Sequence, residues 1–183
     1  MTLPDTAPVI LTLTLNEEAH QHFTHLRQQH FPPDRNFLEA HVTLFHHLPG
    51  SELAAIQQEL AVLAATVPRL TLQLTGVRFL GNGVAYSLDN ARLLQVHRTL
   101  QQQWAEWLTP QDRQPLRPHI TVQNKVAPAV AKALHEELQN SFRPAVIQGT
   151  GFTVWAYQGG PWQQLAQIPF TGPEDTDGAI SGR

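Results

Sequence analysis

Adding 78 to a position in the first half of this 183-residue chain lands on a chemically matched residue in the second, and no other feature constrains the fold as much. Asp34-Arg35 maps to Asp112-Arg113, Leu38 to Leu116, His41 to His119, Val42 to Ile120, Thr43 to Thr121, Leu44 to Val122 and Leu48 to Val126. Ile56, Glu59 and Leu60 keep step with Leu134, Glu137 and Leu138. Thr75-Gly76 matches Thr150-Gly151 after a three-residue shortening, and LTLTLN from Leu11 resembles VAYSLD from Val84. Each half therefore reads strand, helix, strand, helix, strand. Duplicated units bury matched apolar faces, so the expectation is an α+β fold of two lobes. Antiparallel central strands flanked by helices should surround a groove about a pseudo-twofold axis.

Local signals place the elements. Val9 to Leu15 alternates as a strand does, Asn16 is an N-cap, and Glu17 and Glu18 suit the first turn of a helix running to about Gln29. Leu53, Ile56, Leu60 and Leu63 mark a second helix. Leu93, Val96, Leu100, Trp104 and Trp107 mark a third, ended by Pro110, and Val130, Leu134 and Leu138 a fourth. Two last strands, Ala145 to Tyr157 and Trp162 to Phe170, flank a Gly159-Gly160 turn. Residues 1–170 are expected to form one domain of two lobes, and the polar, Gly-rich stretch 171–183 a disordered tail. With 42% hydrophobic residues the chain can bury a real core as a monomer.

Composition excludes several classes. A net charge of −3 argues against non-specific coating of nucleic acid, which works by neutralising many phosphates. It leaves a small nucleotide or a nucleic-acid end as partner. The absence of cysteine excludes disulfides and thiolate chemistry and fits a cytoplasmic location. The first residues lack the pattern of a signal peptide, and no apolar run approaches membrane-spanning length.

Packing accounts for the repeated leucines but has no use for a His-x-Thr pair twice at matched places, because a buried imidazole and hydroxyl must both find partners. Residues two apart on a strand share a face about 6.5–7 Å apart, which sets His41 beside Thr43 and His119 beside Thr121. In-line cleavage of a phosphodiester needs a base on the incoming water and an acid on the leaving oxygen. Two imidazoles, which titrate near neutrality, supply both. Threonine hydroxyls donate to the non-bridging oxygens, and the chemistry calls for neither metal nor cofactor.

HVTL and HITV at these positions resemble the paired His-x-Thr-apolar motifs of the two-histidine (2H) phosphoesterase superfamily, in its 2′-5′ RNA ligase-like branch. The likeness extends to about Phe170. It implies a bilobal α+β fold, hydrolysis of 2′,3′-cyclic phosphates at RNA ends or in nucleotides, and RNA-end joining in some members. Residue by residue it implies His41 and His119 as catalytic, the second more often the base, with Thr43 and Thr121 as phosphate-binding hydroxyls. Where many members of that branch carry arginine five residues after the second histidine, this chain has Asn124, with Lys125 next to it.

On an unbroken strand Lys125 shares the face of His119 and would restore the missing charge. Arg117, two before His119, is a second candidate cation; its counterpart is Glu39. Phe45 and Gln123 fall on the same face, to stack on or bond a base, or in the case of Phe45 to fill the core. A metal site built on His41, His46 and His47 fails on strand geometry at His46. Asp34-Arg35 and Asp112-Arg113 read as loop-stabilising pairs. His20, His22, His25, His30, His97 and His135 read as surface or edge residues of helices.

Overall fold

The computed structural model describes residues 7–174. Strands β1 (Val9–Leu15) and β2 (Val42–Leu48) flank α1 (Glu17–His30) in sequence; α2 (Leu53–Ala64) leads to β3 (Leu70–Phe79). The second half repeats the order with β4 (Val84–Asp89), α3 (Ala91–Gln103), β5 (His119–Gln123), α4 (Pro128–Ser141) and β6 (Ala145–Tyr157), and β7 (Trp162–Pro169) follows. The expected α+β class is what the chain adopts. Helix α3 stops at Gln103 instead of running to Pro110: Trp104 leaves helical geometry (φ −104°, ψ 19°), buries its ring and donates from Nε1 to Glu59 Oε2.

All strands join one antiparallel sheet in the order β2-β1-β6-β3-β4-β5, with β7 also paired to β6. The halves exchange their last strands, since β6 lies against β1 and β3 against β4. Where β3 meets β6, Leu72 pairs with Ile147, and Thr71 and Gln73 pair with Gln148 and Val146 on either side. Leu72 and Ile147 stand at the spacing that carries Thr75-Gly76 onto Thr150-Gly151, so matched residues of the two halves meet at this pair. Strand β6 is long enough to serve both sides, running along β3 to Gly149 and along β7 from Gly151. A Cβ at Gly151 would come within 2.5 Å of the Ile168 carbonyl, so the close pairing requires glycine there.

Helix exchange accompanies strand exchange. Phe23 of α1 meets Tyr86 of β4 edge-on at 5.3 Å, and α1 packs over β5. From the second half, α3 and its cap place His97 and Trp104 against Phe45 of β2. The core runs without interruption through both halves, from Leu11, Leu48 and Ile56 to Leu93, Ile120 and Leu134.

Each His-x-Thr strand carries a β-bulge just after its threonine. Thr12 pairs with Thr43 but Leu11 with Phe45, so Leu44 is extra; Ala85 pairs with Thr121 but Val84 with Gln123, so Val122 is extra. A bulge resets the alternation of faces. For that reason the expectation that Phe45 and Gln123 share the histidine face is wrong: Phe45 is fully buried, stacked on His97 at 4.6 Å, and Gln123 is 4% exposed. His97, read as a surface residue, is buried as well. Of the tail expected to be disordered, Thr171 and Gly172 donate backbone hydrogen bonds to Ala64 and Val67, and 175–183 lie outside the described residues.

As a core residue, Phe45 replaced by Leu should cost about 1–3 kcal/mol in urea unfolding. The KM for any nucleotide substrate should stay within about twofold, and a KM rise of tenfold would return Phe45 to the binding surface.

Candidate active site

His41 stands immediately before β2 and His119 opens β5, and the matched backbone gives both rings one anchoring. His41 Nδ1 donates to the Glu39 carbonyl at 2.7 Å, and His119 Nδ1 to the Arg117 carbonyl at 2.8 Å. Each carbonyl accepts, so Nδ1 carries the proton and Nε2 is left for proton exchange with another molecule. His41, Thr43, His119 and Thr121 are each half-exposed, alternating with the buried Val42, Leu44, Ile120 and Val122. The two imidazoles lie close enough for the charge of His119 to disfavour protonation of His41.

Burial is the main cause that pushes His41 down to about 4, opposed by its bond to Glu39 and aided by the charges of Arg27, His119 and His46. The Trp162 ring covers it at 4.8 Å. Burial likewise lowers His119, with the Arg117 carbonyl opposing and Arg78 and His46 adding to the shift. Burial therefore favours the neutral form of both rings. A negative ligand beside either ring would oppose that shift.

Two cavities meet the histidines. One, of about 420 Å³, is lined by Thr43, His46, Arg78, Arg117 and His119 among others. The second, of about 300 Å³, is lined by Thr12, Thr14, Glu39, His41, Trp155 and Gln167 among others. A further cavity of about 340 Å³ beside Tyr86, Phe142 and Arg143 contains neither histidine. Among the described residues no three His, Asp or Glu side chains converge as metal ligands would.

The expected cations divide. Arg117 lines the His119 cavity. Lys125 does not share the histidine face, because β5 ends at Gln123 and Lys125 turns the chain with φ 63° and an exposed side chain. The cation beside His119 is instead Arg78, which sequence reading missed. Arg78 pairs across β4 with Ala85, and Ala85 across β5 with Thr121, so the three share one face. Strand alternation from Gly76 signals that placement only once the β3–β4–β5 order is known.

Arg27 was missed too. It is 4% exposed, stacks on Phe31 at 4.4 Å, and donates from Nε to the Leu38 carbonyl, from Nη2 to Asn36 Oδ1 and from Nη1 to the Thr121 carbonyl at 2.8 Å. One guanidinium thus ties the loop before His41 to the strand of His119. Burial lowers its pKa to about 10, which leaves it charged. Its signal was spacing, since Ala19, Phe23 and Arg27 follow one another at four-residue steps on the buried face of α1.

The duplicated Asp-Arg pairs are not equivalent. Asp34 and Arg35 form an exposed ion pair at 3.5 Å, as expected for loop stabilisers. Asp112 is buried and accepts from the backbone N–H of His46 (2.8 Å) and His47 (2.9 Å) and from His46 Nδ1 (3.0 Å). That carboxylate holds β2 at its second register shift, between Leu11 and Val9 on the partner strand.

The model of the 2′-5′ RNA ligase superfamily matches residues 15–161. No curated protein matches the chain in sequence. Among solved structures it is similar to TT0787 of Thermus thermophilus, with 17% identity, TM-score 0.64, and coverage of 90% of this chain and 98% of that one. It is also similar to E. coli LigT complexed with 3′-AMP (23% identity, TM-score 0.60, 91% and 99% covered) and with NADP+ (21%, 0.55, 91% and 99%). At these identities the likeness is one of fold. No helix among the described residues is long and apolar enough to cross a membrane.

Replacing Arg27 with Met removes three charge-assisted donors and leaves buried acceptors unpaired, which should cost about 2–5 kcal/mol in urea unfolding. An activity loss beyond the unfolded fraction should accompany it, as both histidine strands lose their common anchor. A second expectation concerns pH. The unfolded chain takes up a proton near 6.5 that His41 accepts only near 4 in the fold, so stability is full above 6.5 and falls as pH drops through that window. His41→Ala should flatten this dependence, and an unchanged slope between pH 6.5 and 4 would count against the burial of that ring.

Proposed function

Because the chain belongs to the 2′-5′ RNA ligase superfamily, we propose that it is a metal-independent phosphoesterase that opens a 2′,3′-cyclic phosphate at an RNA end or in a small nucleotide. The observation that carries this reading is the duplicated Nδ1–H to carbonyl anchoring of His41 and His119, each with a threonine on its face. It presents two free Nε2 atoms as one acid and one base. Nucleotide ligands in E. coli LigT support a nucleotide here.

In the proposed reaction one neutral Nε2 takes a proton from water as the water oxygen attacks phosphorus. The other ring, protonated at Nε2 through the influence of the phosphate, gives its proton to the leaving ribose oxygen as the P–O bond breaks. The Thr43 and Thr121 hydroxyls donate to the non-bridging oxygens. With a ribose hydroxyl in place of water, the same two transfers join an RNA end instead of hydrolysing it.

The test is kinetic. Active enzyme has one ring protonated and the other neutral, so kcat/KM on a 2′,3′-cyclic nucleotide should be bell-shaped. Since both rings are lowered in the free protein, His41 to about 4, the maximum should lie below 6.5. His41→Ala or His119→Ala should each lower kcat by about 10² to 10⁴-fold, and the double variant by much less than the product. Chelator should leave the rate unchanged. Loss of activity in EDTA with recovery on added zinc refutes the mechanism, and tight nucleotide binding without turnover at any pH makes the protein a binding module of the same fold.

A further inference from the structure

The internal duplication serves as a control for charge, because each position around one histidine has a counterpart around the other. Three matched positions differ in the same direction. Arg117 stands where the first half has Glu39, Arg78 where the second half has Thr153, and His46 where the second half has Asn124. All three of the more basic members line one cavity beside His119. Around His41 the corresponding lining is threonines, Glu39, Trp155 and Gln167, and Glu39 already faces His20 at 3.2 Å. In a chain with net charge −3, this concentration of basic side chains is no side effect of a basic surface.

The cavity is also built, beyond being charged. Arg78 is half-buried, and its guanidinium has no hydrogen bond or ion pair with any described residue. A half-buried guanidinium with no partner among the described residues, set in the cavity beside His119, is a charge-assisted donor available to an anion. His46 is fixed there by the 1%-exposed Asp112 carboxylate, which takes up its Nδ1 and leaves its Nε2 end uncommitted. Asp112 lines the same cavity but directs both carboxylate oxygens to His46 and His47.

We propose that this cavity is a second anion subsite, in which Arg78 and Arg117, beside His46, hold a phosphate next to the one placed between the two histidines. The inference rests on the phosphoesterase reading for the identity of its ligand. A ribose cyclised at its 2′ and 3′ oxygens carries its next phosphate on the 5′ oxygen, so the substrate class is a 5′-phosphorylated nucleoside cyclic phosphate. An RNA end offers that 5′ phosphate as a diester, a small nucleotide as a monoester, and both share the chemistry the site recognises.

Because the readout is binding, it is separable from turnover. Calorimetric titration of the full chain with adenosine 3′-phosphate and with adenosine 3′,5′-bisphosphate should show the bisphosphate bound about tenfold or more tightly, since one charge-assisted contact is worth that much. Arg78→Ala should bring the two affinities to within about threefold, and Arg78→Lys should preserve most of the preference. Arg117→Ala, an exposed change that leaves folding alone, should reduce it as well. The 3′-phosphorylated dinucleotide ApAp supplies the diester arm: preference for it points to RNA ends, and preference for the bisphosphate alone points to small nucleotides. Equal wild-type affinities, binding of neither ligand, or a preference that survives both alanine variants overturns the subsite. Bisphosphate preference in a protein that never hydrolyses the cyclic substrates leaves the subsite standing and removes the phosphoesterase reading.

Discussion

Backbone carbonyls displaced by two β-bulges have to find donors inside the protein, and the way they do so holds the site together. At the β2 bulge the Leu44 carbonyl accepts from His97 Nε2 at 3.0 Å; at the β5 bulge the Thr121 carbonyl accepts from Arg27 Nη1. An unpaired buried carbonyl costs about 1–3 kcal/mol, so neither donor is dispensable. Each comes from a helix of the opposite half, α3 for β2 and α1 for β5. The bulges turn the chain away from the histidine face, and the reciprocal donors lock the halves across that turn.

Backbone symmetry and side-chain asymmetry divide the labour. The matched Nδ1 anchors and bulges present two equivalent imidazoles, which suits a reaction whose two proton transfers mirror one another about phosphorus. Direction has to come from elsewhere. It enters through Trp162 over His41 on one side and Arg78 and Arg117 near His119 on the other. A duplicated scaffold thereby acquires a polarity.

Much of this was legible before any coordinates. The offset that pairs His41 with His119 also gives the element order, and apolar periodicity marks the helices because burial of one face decides them, although it overran the end of α3 at Gln103. What stayed hidden depends on strand order and on single-residue shifts in register. Phe45 and Gln123 were misplaced because a bulge leaves no mark in an alternating pattern, and Lys125 because nothing in VQNKV announces the end of pairing at Gln123. Arg78 lies far in sequence from both motifs and joins them only through β4. Arg27 and Asp112 look like surface charges until the groups they bond are known. A charged residue at an apolar helix position was a usable hint for the first, and nothing comparable existed for the second.

The exchange of last strands bears on how such a chain is made. Strand β6 sits between β1 and β3 although it follows both in sequence, so until it is made each neighbour has an open edge with unpaired N–H and C=O groups. Neither half can close its own sheet beforehand, because the first lacks its partner for β1 and has β3 waiting on β4. The cavities beside the two histidines are therefore products of a sheet that closes only when β6 is in place. The same topology makes folding depend on contacts between residues more than a hundred positions apart, such as Leu11 with Val154. A protein so arranged completes its sheet only once β6 is in place, and its unfinished form is the one most in need of protection from aggregation.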